Sequence, residues 1–121
     1  MSGLALLRIG YFVAVLVFLA FALLPAGSGA PMLNINDKVQ HFLAFFVLAF
    51  AGKMLWPDHR VWLALVWLTA FGALIEVLQW LMALGRQAEW LDLGADIAGS
   101  VVGIALARWL LSRGIGLKSA S

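Results

Sequence analysis

Asp37 and His41 stand four residues apart, Glu76 and Gln79 three apart, and Asp92 and Asp96 four apart. On a helix these spacings put each pair on one face, about one turn apart. Carboxylates and an imidazole move protons or grip cations, and a glutamine amide both donates and accepts hydrogen bonds. Glu76 and His41 are the candidates for acid–base catalysis. Asp37, Lys38, Gln79, Arg86, Asp92 and Asp96 are the candidates for binding, with the planar fork of Arg86 suited to a phosphate or carboxylate. The chain has no cysteine, which removes thiolate nucleophiles and thiolate metal sites. It also lacks a G-x-S-x-G elbow, a phosphate-binding glycine loop and an H-E-x-x-H pair. The sequence therefore assigns no cofactor and no metal ligands. A divalent metal on the carboxylates and His41 remains a chemically open alternative.

The elements that must position these residues are long apolar runs. The 121 residues are 64% hydrophobic and 12% charged. An average soluble domain is about half apolar and about a quarter charged, and here the excess is blocked into runs instead of being spread through a core. The runs predict four helices, at about 4–24, 38–55, 61–84 and 92–111. Each is long enough for the roughly 30 Å of bilayer hydrocarbon, and in lipid only helices or closed barrels satisfy the backbone. The expected fold is thus all-α: one transmembrane domain over 1–121, a four-helix bundle. The first run is longer than the core of a signal peptide, so it is read as a retained helix. The net charge of +2 is too small to suggest a nucleic acid partner.

Depth sorts the polar residues. Asp37, Lys38 and His41 open helix 2, Glu76 and Gln79 fall in the last third of helix 3, and Asp92 and Asp96 open helix 4. Four alternating spans bring all of them to one leaflet. The basic residues divide as Arg8, Lys53, Arg60, Arg108, Arg113 and Lys118 on one side against Lys38 and Arg86 on the other. That bias predicts cytoplasmic N- and C-termini and an outward-facing polar cluster. Small residues extend the polar faces: Ala44, Leu48 and Gly52 on helix 2; Thr69, Gly72 and Ala73 on helix 3; Gly99 and Gly103 on helix 4. The Gly99-x-x-x-Gly103 spacing is a close-packing pattern for helices in lipid. Three seams are expected to pack together, with an ionisable pocket at their outer end and helix 1 at the periphery. Ser100 reads as a packing residue.

Taken in order, Asp37-Lys38-x-x-His41-Phe42-x-x-Phe45, Glu76-x-x-Gln79, Arg86-x-x-x-x-x-Asp92 and Asp96-x-x-Gly99-x-x-x-Gly103 resemble the VanZ-like membrane proteins. This resemblance covers helices 2 to 4. It implies a multi-pass protein of the bacterial inner membrane, in a family named for a member associated with resistance to the glycopeptide teicoplanin. Asp96 stands where the family more often has Asn, which adds a negative charge to the pocket.

Several functions fit these residues. One is recognition or modification of an envelope lipid or a lipid-linked cell-wall intermediate, with Lys38 and Arg86 holding the anionic headgroup. Another is an intramembrane hydrolase or transferase, acid–base or metal-dependent, with Glu76 or His41 as general base. A third is a structural protein that docks a membrane-protein partner, its polar groups acting as interhelical glue. A proton-coupled transporter fits less well, because the opposite halves of the helices offer no matching polar path.

Overall fold

The computed structural model describes residues 1–24, 37–82 and 90–117. These residues form four α-helices and no strand: α1 Gly3–Ala22, α2 Asp37–Leu55, α3 Val61–Leu81 and α4 Trp90–Ser112. All four are long and apolar enough to cross a membrane. The sequence places the helices correctly and misses mainly at their ends. α1 stops at Ala22, ahead of Pro25, and its cap residue Leu23 returns its N–H to the carbonyls of the last turn. α4 starts at Trp90, two residues before the expected position, which puts Asp92 inside its first turn.

Ser2 begins α1 by accepting a hydrogen bond from the N–H of Ala5 (3.0 Å), a polar cap on an otherwise apolar helix. Where α2 ends, Arg8 of α1 donates from Nε and Nη2 to the carbonyl of Leu55, at 3.1 and 2.8 Å. The same guanidinium lies over the Trp56 ring, 5.2 Å from its centroid. Arg8 thus caps the carbonyl end of α2, where the helix dipole favours a cation. Lys53 ties down the following turn by donating to the carbonyls of Pro57 (2.6 Å) and His59 (3.0 Å).

The centre of the bundle is the parallel pair α2 and α4. A Cβ on Gly99 would collide with the carbonyl oxygen of Phe42, and one on Gly103 with that of Phe46. The two glycines therefore set the approach of α4 to the backbone of α2. Gly52 does not join this seam. It faces α1, where a Cβ would stand 3.0 Å from the Tyr11 hydroxyl oxygen, and Tyr11 donates to the carbonyl of Leu48 at 2.9 Å. The small-residue face expected on α2 is thus the socket for an aromatic of α1, while α4 packs on the flank carrying Phe42, Phe46 and Ala49. α1 and α3 are joined to this pair by the aromatic cluster of Phe18, Phe45 and Phe71.

Burial is reversed relative to a soluble bundle. The best-buried positions include His41, Glu76, Gln79, Asp92, Asp96 and Ser100, while Phe12, Leu16, Trp67, Val77, Trp80 and Val101 are exposed. An apolar exterior around a small and polar interior is what lipid as the solvent selects. The chain is a multi-pass membrane protein.

Candidate functional site

Asp92, Asp96, Gly99 and Gly103 share one face of α4 at helical spacing, and all four are buried. Asp92 points inward from within a regular turn of α4. Gly72 of α3 leaves room for Asp96: a Cβ there would lie 2.6 Å from Asp96 Oδ2. Ser100 Oγ donates to the carbonyl of Asp96 at 2.8 Å, one turn back on the same helix. That bond keeps the Ser100 hydroxyl on its own backbone, in line with a packing role.

His41 is the hinge of the site. Its Nδ1–H donates to Asp96 Oδ1 at 2.7 Å, and its Nε2 lies 3.8 Å from Asp92 Oδ2. The histidine is 5% exposed, Asp92 2% and Asp96 0%, so both contacts are shielded from water. Glu76, also 5% exposed, brings a carboxylate from α3: one ring nitrogen of His41 and one oxygen each of Glu76 and Asp92 lie within 4.8 Å of one another. Lys38, half-exposed at the edge, places Nζ 3.6 Å from Asp92 Oδ1. One turn beyond Glu76, Gln79 donates from Nε2 to the carbonyl of Ala22 at 2.8 Å. Ala22 is the last residue of α1, where carbonyls have no partner within the helix.

The structure therefore gathers Lys38, His41, Glu76, Gln79, Asp92 and Asp96 at one end of the bundle, with side chains from α2, α3 and α4 and a backbone carbonyl from α1. Arg86 lies outside the described residues, as does the side chain of Asp37. Gly99 and Gly103 pack helices, as their spacing predicts. The sequence does not single out the Ala22 carbonyl; its one hint is that the end of α1 falls on the same side as Gln79. Chemically the site presents a histidine oriented by one carboxylate and facing two others, with a lysine at its edge.

This buried histidine–carboxylate constellation sits on the motif positions quoted above, and the whole chain can be compared with known families. It matches VanZ/LLP1 over residues 6–111. The chain belongs to the VanZ/LLP1 family. The match runs through all four helices, so α1, which carries none of the quoted motifs, is part of the VanZ/LLP1 unit. No curated protein and no solved structure matches the chain.

Proposed function

We propose that this VanZ/LLP1 protein lies in the bacterial inner membrane with both termini in the cytoplasm, and binds the anionic headgroup of an envelope lipid or a lipid-linked cell-wall intermediate from the outer leaflet. The observation that carries this reading is the constellation itself. Burying Glu76, Asp92 and Asp96 together in a lipid-embedded bundle is costly, and apolar packing would hold the helices at lower cost. Its place at one end of the spans suits a lipid headgroup. Lys38 is the half-exposed cation on the rim that meets the headgroup first, and Arg86 is the second cation supplied by the sequence. The polar groups behind them set headgroup selectivity. Teicoplanin resistance would then follow from what the bound lipid does in cell-wall synthesis.

The His41–Asp96 contact favours a second reading, an intramembrane acid–base enzyme. A histidine held by a carboxylate at 2.7 Å is oriented as a general base is. The same purified protein tests both readings. Wild type, Lys38→Met and Glu76→Gln are extracted in mild detergent, and retained lipid is identified by native mass spectrometry beside a thermal melt. Retention of one anionic lipid by wild type, and its loss in variants that still melt cooperatively, supports headgroup binding. Turnover of that lipid supports the enzyme. Wild type without any selective lipid would sink both, leaving the docking of a membrane-protein partner.

A further inference from the structure

An anionic headgroup entering this site meets the carboxylates of Glu76, Asp92 and Asp96, so like charges face one another in a medium that screens them poorly. A cation between headgroup and carboxylates removes that conflict, and the side chains are arranged to hold one. We infer that His41, Glu76 and Asp92 form a site for a divalent first-row transition-metal ion, such as Zn²⁺ or Mn²⁺, with Asp96 as the residue that positions His41. The inference rests on the headgroup reading for what the ion does, but not for whether the ion binds.

Three features carry it. The donors come from three different helices, yet one atom from each lies within 4.8 Å of the others. Metal–ligand bonds of about 2.0–2.2 Å require donors about 3.0–3.5 Å apart, so closing the site needs only a side-chain adjustment of an ångström or so. Nε2 of His41 and Oδ2 of Asp92, at 3.8 Å, are already close to that separation. The second feature is the far side of the imidazole. Nδ1 lies 2.7 Å from Asp96 Oδ1, so a neutral ring that donates there leaves its lone pair on Nε2, 3.8 Å from Asp92 Oδ2. A buried carboxylate behind a histidine ligand is the usual way a metal site fixes the tautomer and raises the basicity of the ligand. The third is the donor set. One imidazole and two carboxylates suit Zn²⁺ or Mn²⁺ better than Ca²⁺ or Mg²⁺, which favour oxygen alone. Three protein ligands also leave a coordination position open, and a phosphate oxygen of a headgroup fills it. The sequence assigns no metal here because the ligands are spread over three helices and form no local motif.

The test uses the full chain with an affinity tag that contains no histidine. It is purified in detergent, stripped with a chelator and titrated with Zn²⁺, Mn²⁺ and Mg²⁺ by calorimetry. Co²⁺ is added separately to read its visible absorption bands. About one equivalent of Zn²⁺ or Mn²⁺ per chain is expected, bound more tightly than Mg²⁺. His41→Gln and Asp92→Asn are each expected to weaken binding by about 100-fold or more. Asp96→Ala is expected to weaken it by about 10–100-fold and to shift the Co²⁺ bands. Asp96→Asn, which keeps an acceptor for Nδ1–H, should recover part of that loss. The chain has two histidines, and the other, His59, lies in the α2–α3 turn at the opposite end. His59→Gln must therefore leave the titration unchanged. If stripped wild type binds none of these ions better than His41→Gln does, the metal site is wrong, and His41 serves only to join α2 to the two aspartates of α4. Retention of a polyprenyl phosphate, measured with and without chelator, separates the two readings. Chelator-resistant retention with no metal binding leaves the headgroup reading standing and overturns the metal. Metal binding without selective lipid leaves the metal site standing and overturns the headgroup reading.

Discussion

At the end of the bundle where α2 stops, Arg8 and Lys53 direct their donors at the backbone carbonyls of Leu55, Pro57 and His59. At the opposite end, where α2 begins, His41 and Asp96 bond to each other, with Asp92 and Glu76 beside them. Capping a helix end accounts fully for the first arrangement. A long basic side chain reaches the rim of the membrane, satisfies carbonyls that the helix leaves over, and keeps its charge near water. Nothing of the kind accounts for the second: Glu76 and Asp96 sit on helix faces more than a turn from the helix ends, Asp92 in the first turn of α4 faces inward, and all three are shut off from water. Charge that closes off helix ends is structural, whereas charge brought inward from three helices at a cost in stability is what a binding or reacting site requires.

The largest expected difference between the ends is in stability. Asp96→Ala removes the acceptor of a buried imidazole and opens a cavity, and is expected to cost about 3–5 kcal/mol. Arg8→Ala loses two hydrogen bonds to one carbonyl and the Trp56 contact, where water can replace part of the loss, and is expected to cost about 1–3 kcal/mol. Unfolding in detergent with increasing denaturant measures both. An equal or larger loss for Arg8→Ala would erase the contrast on which the functional reading stands.

A pair of glycines sharpens the same comparison. Gly72→Ala drives a methyl group to 2.6 Å from Asp96 Oδ2, so it strains the site without removing any polar atom. A loss of about 1–3 kcal/mol is expected, along with weaker lipid or metal binding. Gly94→Ala, on the same turn of α4 as Asp92 and Asp96, meets nothing within 4 Å. There the helix propensity of alanine is expected to raise stability by up to about 1 kcal/mol with binding unchanged. If both variants behave alike, Asp96 is not held as tightly as its neighbours imply.

Much of this was legible in the sequence, for identifiable reasons. Lipid demands long apolar helices, so their number and type follow from the runs alone. Alternating spans then bring His41, Glu76, Gln79, Asp92 and Asp96 to one end whatever their detailed packing. What escaped is what depends on the partner surface. Gly52 has the spacing of a helix-packing residue, yet it receives the Tyr11 ring, and no local pattern separates the two uses. The hold of Gln79 on Ala22 joins a side chain to a backbone carbonyl 57 positions away in sequence, and a carbonyl leaves no mark on residue identity.

That hold supplies a smaller test. Gln79→Met keeps the bulk of the side chain and removes the donor to Ala22, at the end of α1. It is expected to cost about 1–2 kcal/mol and to speed amide exchange in the last turn of α1. Tyr11→Phe breaks the bond from α1 to the Leu48 carbonyl, in the middle of α2, and should cost about 0.5–1 kcal/mol without loosening that turn. Equal exchange in the two variants would mean that α1 is not fastened at the polar end.

The smallest effect on stability carries the most functional weight. Lys38 and Lys53 are both basic residues near the ends of α2, and each sits close to acceptors. Lys53→Met leaves the carbonyls of Pro57 and His59 to water. Lys38→Met leaves Asp92 without the ammonium at 3.6 Å, but that side chain is 40% exposed. Asp92 is buried, but water reaches the ammonium and screens the pair, so the expected loss is about 1 kcal/mol. Both variants should therefore melt close to wild type, and neither changes the number of helices or their packing. If charge at the polar end serves recognition, Lys38→Met reduces retention of an anionic lipid several-fold while Lys53→Met leaves it unchanged. Because the two substitutions remove the same charge, a general attraction of basic protein to acidic lipid would weaken equally in both. Equal loss would assign Lys38 the same membrane-edge role as Lys53, and the distinction between the two ends would then rest on the buried carboxylates alone.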